Sequence, residues 1–236
     1  MNPTNPGGPK SGRGRKGQET AERFLEAARR VISRDGYLNM KITDIADEAG
    51  KSPGLLYTYF DGKEAVLVEL AEQFNSEMAL RSTEAFSDGA SAETALRDAI
   101  AAFWDTFRRR LPEMVGIFQA SMIDRDFAAR WREIRAQAID RIASGIRAAQ
   151  REGHASGMDP MLTASALASM LEHFAYVWLA TDGDAIDVEV DDETAIETLW
   201  MIWSRAIYST EPRPVRSDRR NATTSRAKTV DTATNE

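Results

Sequence analysis

The stretch that decides the fold covers residues 42–63 and reads ITDIADEAGKSPGLLYTYFDGK. In its first half, four apolar residues recur at the spacing of one helical face: Ile42, Ile45, Ala46 and Ala49. This spacing predicts a short helix that ends at Gly50. After a tight turn, Ser52 can cap a second helix and Pro53 fits its first position, where a missing N–H costs nothing. We predict that this second helix ends near Phe60.

Two short helices joined by a glycine-containing turn form a helix-turn-helix, in which the second helix enters the major groove of DNA. Within the second helix, Leu56 and Phe60 lie one turn apart, so we expect both to face the core. The remaining side chains of this segment then form a surface for DNA. The candidate DNA contacts are Thr43, Ser52, Pro53, Gly54, Leu55, Tyr57, Thr58, Tyr59 and Lys63.

The residue types on this surface suit the chemistry of a DNA duplex. Gly54 permits close approach of the backbone, Leu55 can contact a thymine methyl group, and Thr58 can donate or accept at a base edge. Two tyrosines can reach phosphates through their hydroxyls: Tyr57 and Tyr59. Lys63 opens the next helix, where its charge and the free amides can hold a phosphate together. The alternative, that the aromatic and aliphatic members only cover a core, stays open.

These residues resemble the DNA-binding head of the TetR family of regulators. The matching pattern is I-A-x-x-A-G, then a capped turn, then L-Y-x-Y-F-x-x-K, and the resemblance covers residues 23–70. It implies an all-α homodimer with an N-terminal three-helix helix-turn-helix domain and a C-terminal helical bundle for ligand binding and dimerisation. One position departs from the pattern. Lys41 stands where Ser or Thr commonly caps the first of the two helices, so either Asn39 caps it or its start is looser.

Beyond this stretch, apolar residues keep a spacing near that of a helix with almost no alternation, which predicts helices throughout. The first is expected over residues 20–35, with Thr20 as a candidate cap. Later helices are expected near residues 63–86, 92–110, 112–123, 124–152, 160–181 and 191–208. We divide the chain into a flexible basic arm (1–18), a helix-turn-helix domain (19–63), a body for ligand binding and dimerisation (64–211) and a disordered tail (212–236).

The net charge of −7 is distributed unevenly along the chain. Residues 1–63 hold 11 Lys and Arg against 8 Asp and Glu, whereas residues 64–211 hold 13 against 26. A basic head on an acidic body fits a DNA-binding protein, because binding depends on local and not total charge.

Composition argues against several other classes of protein. The chain has no cysteine, which removes disulfides, thiol nucleophiles and thiolate metal sites. It also lacks a histidine pair at ligand spacing and a glycine-rich phosphate loop, so we expect neither an enzyme nor a bound cofactor. No apolar run approaches the roughly 20 residues of a membrane span, and a cytoplasmic location fits best.

The body is rich in aromatic and methionine side chains at helical spacing, which suits an apolar pocket for a small apolar or aromatic effector. The candidate ligand-binding residues are Phe103, Trp104, Phe107, Phe118, Met122, Trp131, Met170, His173, Phe174 and Trp178. A solid core is the alternative, and the pocket rests chiefly on the TetR resemblance. His173, on a helix expected to be buried, is either a ligand anchor or pH-sensitive switch, or an ordinary interior histidine.

The last two helices are the expected dimer interface, because TetR-type proteins pair there through a four-helix bundle. The candidate interface residues are Leu167, Leu171, Leu199, Trp203 and Ile207. The ending WxxWSRAIY, residues 200–208, is also similar to a mycobacterial member of that family. Acidic residues between positions 182 and 193 could hold a cation, but a solvated loop before an acidic helix start explains them as well, and we expect no metal.

The resemblance implies a repressor whose dimer reads two half-sites of a palindrome about one DNA turn apart. Its effector would favour a state with the two heads at the wrong spacing. The long helix from Lys63 to Phe86 would couple body to head. Activation in place of repression stays open, and the competing hypothesis is a helical scaffold protein that binds no specific DNA.

Overall fold

The computed structural model describes residues 14–87, 89–155, 157–181, 183–184, 188 and 190–208. These residues form helices and no strand, which confirms the predicted all-α architecture. The helices are α1 (Arg15–Asp35), α2 (Ile42–Glu48), α3 (Pro53–Tyr57), α4 (Lys63–Ser87), α5 (Ala92–Arg109), α6 (Leu111–Ile123), α7 (Arg125–Arg151), α8 (Pro160–Ala180) and α9 (Asp192–Tyr208). Residues 1–13 of the predicted arm and the predicted tail lie outside the described residues.

Helix α1 begins five residues before the predicted start, so the prediction that Thr20 caps it was wrong. Its N-cap is Gly14, which offers no side-chain hydrogen bond. The Thr20 hydroxyl instead donates to the carbonyl of Lys16 at 2.9 Å, inside the helix. Arg15 pairs with Glu19 one turn later, at 3.3 Å. Part of the predicted arm, from Arg15 onward, therefore belongs to α1.

The other helix boundaries fall within one or two residues of the predicted ones, except that of α3. This helix ends at Tyr57, because the chain tightens there into turns of three residues. The amide of Thr58 donates to the carbonyl of Leu55 at 3.1 Å, and the amide of Tyr59 to that of Leu56 at 2.8 Å. None of the helices in the described ranges combines the length and the apolar content needed to cross a membrane.

The start of α2 shows how the chain manages without the usual Ser or Thr cap. The carboxylate of Asp44 accepts from the backbone amide of Lys41 at 2.9 Å and so secures the first turn. Asn39 does not cap α2, because its side-chain amide donates to the carbonyl of Asp35 at 2.9 Å. Asn39 thus closes the end of α1, where Gly36, at a φ of 74°, turns the chain.

The first three helices enclose the core of the head, and α4 carries the chain into the body. Buried apolar side chains from all three helices, and from the turn after α3, meet in this core: Phe24, Ala28, Val31, Ile45, Leu56 and Phe60. Helix α4 packs against α5, α6 and α7, and α6 also contacts α1. The head therefore rests on two body helices, α4 and α6.

A buried ion pair and a close backbone approach join α1 and its following loop to α6. Arg29 Nε lies 3.3 Å from Glu113 Oε1, and Arg110 Nη1 lies 3.4 Å from Glu113 Oε2. Burial raises the pKa of Glu113, and the two guanidinium groups oppose that rise. One helical turn further, Gly116 lies so close to Tyr37 that an added Cβ would stand 2.9 Å from the Tyr37 Cβ. Only glycine fits there without a shift.

Replacing Gly116 with alanine is expected to lower the free energy of unfolding, on the order of 1 kcal/mol net. Overpacking costs about 1–3 kcal/mol, and the better helix propensity of alanine returns part of it. Chemical denaturation measures the change. The matched control is Gly145→Ala in α7, where an added Cβ meets nothing within 4 Å, so this variant should be slightly more stable than the parent. Equal stability of the two variants would contradict the tight contact.

Candidate DNA interface and effector cavity

The capped turn before α3 has the predicted geometry. Ser52 Oγ accepts from the amide of Leu55 at 3.2 Å, and Pro53 occupies the first helical position. Gly50 adopts a φ of 63°, which allows the tight turn between α2 and α3. Leu56 and Phe60 are buried, as predicted, and fix the inner face of this helix. The opposite face of α3 therefore points away from the head core.

The candidate DNA contacts divide by exposure. Five are exposed: Thr43, Ser52, Gly54, Tyr57 and Thr58. Four are partly buried: Pro53, Leu55, Tyr59 and Lys63. Tyr57 presents 53% of its surface. The ring of Tyr59 packs 5.8 Å from that of Phe24, so most of its ring supports the core, whereas Tyr57 stands free of it.

Lys63 has an intramolecular role that the sequence did not indicate. Its ammonium donates to the carbonyl of Tyr37 at 3.1 Å and to that of Leu38 at 3.3 Å. It also lies 4.6 Å from the centre of the Tyr37 ring, within range of a cation–π contact. These contacts tie the start of α4 to the loop after α1. The ammonium predicted to hold a phosphate is thus already engaged by the protein.

Replacing Lys63 with methionine is expected to reduce the free energy of unfolding on the order of 1–2 kcal/mol, because two carbonyls lose a charged donor. The matched control is Lys41→Met, since Lys41 is exposed and should change stability by no more than about 0.5 kcal/mol. Urea unfolding of both variants checks this. A reduction of the salt dependence of DNA binding by about one unit, with stability unchanged, would instead assign Lys63 to a phosphate.

The body contains a cavity of about 340 Å³ between α4, α5, α7, α8 and α9. Its wall is mostly apolar: Phe74, Met78, Phe86, Leu96, Ile100, Phe103, Trp131, Ile134, Ile142, Ile146, Leu171, Trp203 and Ile207. The polar members of the wall are Asn75, Ser82, Arg135, Arg141, Glu172 and Tyr208. This size and lining are typical of a site for a small, largely apolar molecule.

Two of the ten candidate ligand-binding residues, Phe103 and Trp131, line this cavity. Six others pack into the body and are not part of its wall: Trp104, Phe107, Phe118, Met170, Phe174 and Trp178. Trp104 donates its indole N–H to Asp192 at 2.8 Å, and its ring lies 6.0 Å from that of Phe174. For these six side chains the alternative of a packed core describes the structure better.

The prediction that the two remaining candidates, Met122 and His173, face the interior of the body was wrong. Met122 lies in the last turn of α6 and is 83% exposed. His173 is exposed on α8, because the residue before it, Glu172, takes the inward position and successive helical residues point about 100° apart. The ring of His173 stacks 6.0 Å from that of Tyr176.

All five residues predicted for the dimer interface are buried within a single chain, which leaves their side chains little surface for a partner: Leu167, Leu171, Leu199, Trp203 and Ile207. Three of them line the cavity. The exposed apolar residues of the same two helices lie elsewhere on them: Met161 and Leu162 on α8, Met201 and Ile202 on α9. The most deeply buried apolar side chains of α8 and α9 therefore pack into the interior of the body.

Sequence reasoning missed most of the cavity wall. On α7, small residues such as Ala138 and Gly145 belong to it alongside Ile134 and Ile142. Small side chains opposite large ones leave space that packing does not fill. The spacing of these residues along α7 was the sequence signal for the cavity wall. Most of the aromatic residues predicted to bind a ligand instead fill the core of the body.

Two family models match the chain. The model described as bacterial regulatory proteins, tetR family, matches residues 24–70, and that of the C-terminal domain of the transcriptional regulator EthR matches residues 96–209. The chain belongs to the TetR family of transcriptional regulators. The first match contains α2, the turn and α3, and the second contains most of the cavity wall.

Individual TetR-family proteins are similar to this chain over most of its length. The HTH-type transcriptional repressor NicS of Pseudomonas putida is 27% identical over 145 residues, 60% of this chain and 68% of that protein. The HTH-type transcriptional regulator EthR of Mycolicibacterium smegmatis is 27% identical over 202 residues, 83% of this chain and 89% of that protein. A solved TetR-family regulator from Rhodococcus sp. has a TM-score of 0.68 at 21% identity, covering 80% of this chain and 99% of that one. That structural likeness concerns the fold alone.

Proposed function

We propose that this protein is a ligand-responsive repressor, which binds a palindromic operator as a homodimer and is released from it by a small, largely apolar effector. The observation that carries the proposal is the exposed outer face of the capped helix α3, joined through α4 to a body with an apolar cavity. Repression is favoured over activation by the similarity to the repressor NicS. Such a regulator would act in the cytoplasm, with double-stranded DNA as its partner.

The outer face of α3 offers a small, mixed surface to DNA. Exposed Gly54 permits close approach, and the half-exposed ring of Tyr57 carries a hydroxyl that can donate to a phosphate. None of the side chains on this face is an arginine or asparagine that could read a base with two bonds. Discrimination between sequences would therefore depend on apolar contacts, Thr58 and the shape of the duplex.

Coupling between cavity and head would run along α4. Five residues of this helix line the cavity: Phe74, Asn75, Met78, Ser82 and Phe86. Its first residue, Lys63, holds the loop that follows α1. A ligand that displaces α4 would therefore also displace the head, and a few kcal/mol of differential affinity would suffice to clear the operator.

Dimerisation would use the outer faces of α8 and α9, because both carry exposed apolar side chains. Leu162 is 71% exposed, and Met201 and Ile202 lie next to each other on α9. One short recognition helix buries too little surface for tight specific binding, whereas a two-fold dimer reads two half-sites.

Selection of bound genomic fragments by the intact protein is expected to recover one palindromic site with half-sites about one DNA turn, roughly 34–36 Å, apart. Replacing Tyr57 with alanine should weaken binding to that site about 10-fold, the equivalent of ~1.4 kcal/mol, and leave helicity unchanged. Tyr57→Phe is the matched control, since it removes only the hydroxyl and so isolates the phosphate contact. Recovery of unrelated fragments, with no shared site, would favour the scaffold hypothesis.

Replacing Met201 with glutamate is expected to shift the protein from dimer to monomer, because a charge would be buried without a partner in the interface. Sedimentation analysis at several protein concentrations measures the shift. The control is Met122→Glu, the same change at an exposed position on α6, which should leave the dimer intact. A dimer that survives Met201→Glu would place the interface on another surface.

A further inference from the structure

The positive and negative charges in the cavity wall are unequal in number. Among the residues that the structure describes, three charged side chains line the cavity: Arg135, Arg141 and Glu172. Arg135 Nε donates to both carboxylate oxygens of Glu172, at 2.9 and 2.7 Å, so these two charges neutralise each other. The wall is left with one positive charge, that of Arg141.

Within the described ranges, Arg141 has a polar partner but no acidic one. Its Nη2 donates to Asn75 Oδ1 at 2.7 Å, and the Asn75 amide group donates in turn to Gln137 at 3.2 Å. Partial burial lowers the pKa of Arg141, and no carboxylate opposes this. A guanidinium nevertheless stays charged at neutral pH. Arg141 as a whole is exposed, so its guanidinium remains accessible to a ligand. The described part of the chain thus holds a cation in place at the cavity wall and supplies no anion for it.

A second donor in the same wall also lacks an acceptor. Trp203 is buried and lines the cavity, and its indole N–H has no hydrogen-bond partner among the described residues. The acceptors of Glu172 and Asn75 are already engaged, by Arg135 and Arg141 respectively. A buried donor without an acceptor is unfavourable. The cavity therefore has donors to spare and calls for a ligand that brings acceptor oxygens.

We propose that the cavity binds an apolar carboxylate, a molecule with an aliphatic or aromatic body and one carboxylate group that pairs with Arg141. This inference deepens the effector function proposed above and rests on it. The planar guanidinium can donate two parallel N–H bonds to a carboxylate, and the side chains of Phe74, Phe103 and Trp131 surround the apolar body. An alcohol would leave the charge of Arg141 unpaired, and a cation would be repelled by it.

Calorimetric titration of the intact protein at neutral pH with three ligands of equal chain length tests this: decanoate, decanol and decyltrimethylammonium. Decanoate is expected to bind at least about 10-fold more tightly than decanol, as charge-assisted hydrogen bonds allow. The Arg141→Gln variant should lose that advantage and bind decanol as before. The control is Arg147→Gln, the same change at an exposed arginine of α7 outside the cavity wall, which should keep the preference.

The outcomes separate this inference from the proposed function. Equal binding of decanoate and decanol, or a preference that survives Arg141→Gln, would overturn the carboxylate site and leave an apolar effector cavity in place. Tightest binding of decyltrimethylammonium would overturn it in favour of recognition by Glu172. If none of the three ligands binds, both the effector cavity and this inference are wrong.

Discussion

The arrangement of the head and the body depends on the contact that the ammonium of Lys63 makes between them. Lys63 is the first residue of α4, and its ammonium donates to the carbonyls of Tyr37 and Leu38. Both carbonyls belong to the loop between α1 and α2. On the other side of that loop, Tyr37 packs against Gly116 of α6. The head is therefore held between two helices of the body. The orientation of the head depends on the relative position of these two helices, because Tyr37 lies directly against the backbone of α6 at Gly116.

The extent of the helices could be predicted from the sequence because helix ends are governed by local chemistry. Ser52 with Pro53, and Asp159 with Pro160, set the starts of α3 and α8 through a side-chain cap followed by proline. The start of α1 was missed because Gly14 precedes it without any capping side chain. Where no local signal marks the end of a helix, the surrounding contacts determine how far it extends.

The candidate site was less predictable, because it depends on which face of a helix meets which neighbour. At α3, Leu56 within the helix and Phe60 three residues beyond its end face the same core, and their burial was correctly predicted. Helix α8 is apolar on most sides, so periodicity could not separate a side chain that faces the cavity from one that faces a second chain. Lys63 shows a further limit. Its acceptors are backbone carbonyls that lie 25 and 26 residues earlier, and no side-chain pattern records them.

The position of the cavity has a physical consequence for regulation. A void removes packing contacts from the side chains around it, so the body without a ligand forgoes stability that a well-fitting ligand can restore. Because Phe74 and Met78 belong to both α4 and the cavity wall, the helix that gains those contacts is the one that carries the head. A ligand can shift the equilibrium between two head positions only by its difference in affinity for them. Because Arg141 has no acidic partner among the described residues, its guanidinium would make that difference sensitive to ligand charge as well as to ligand volume, since charge-assisted hydrogen bonds require a specific geometry.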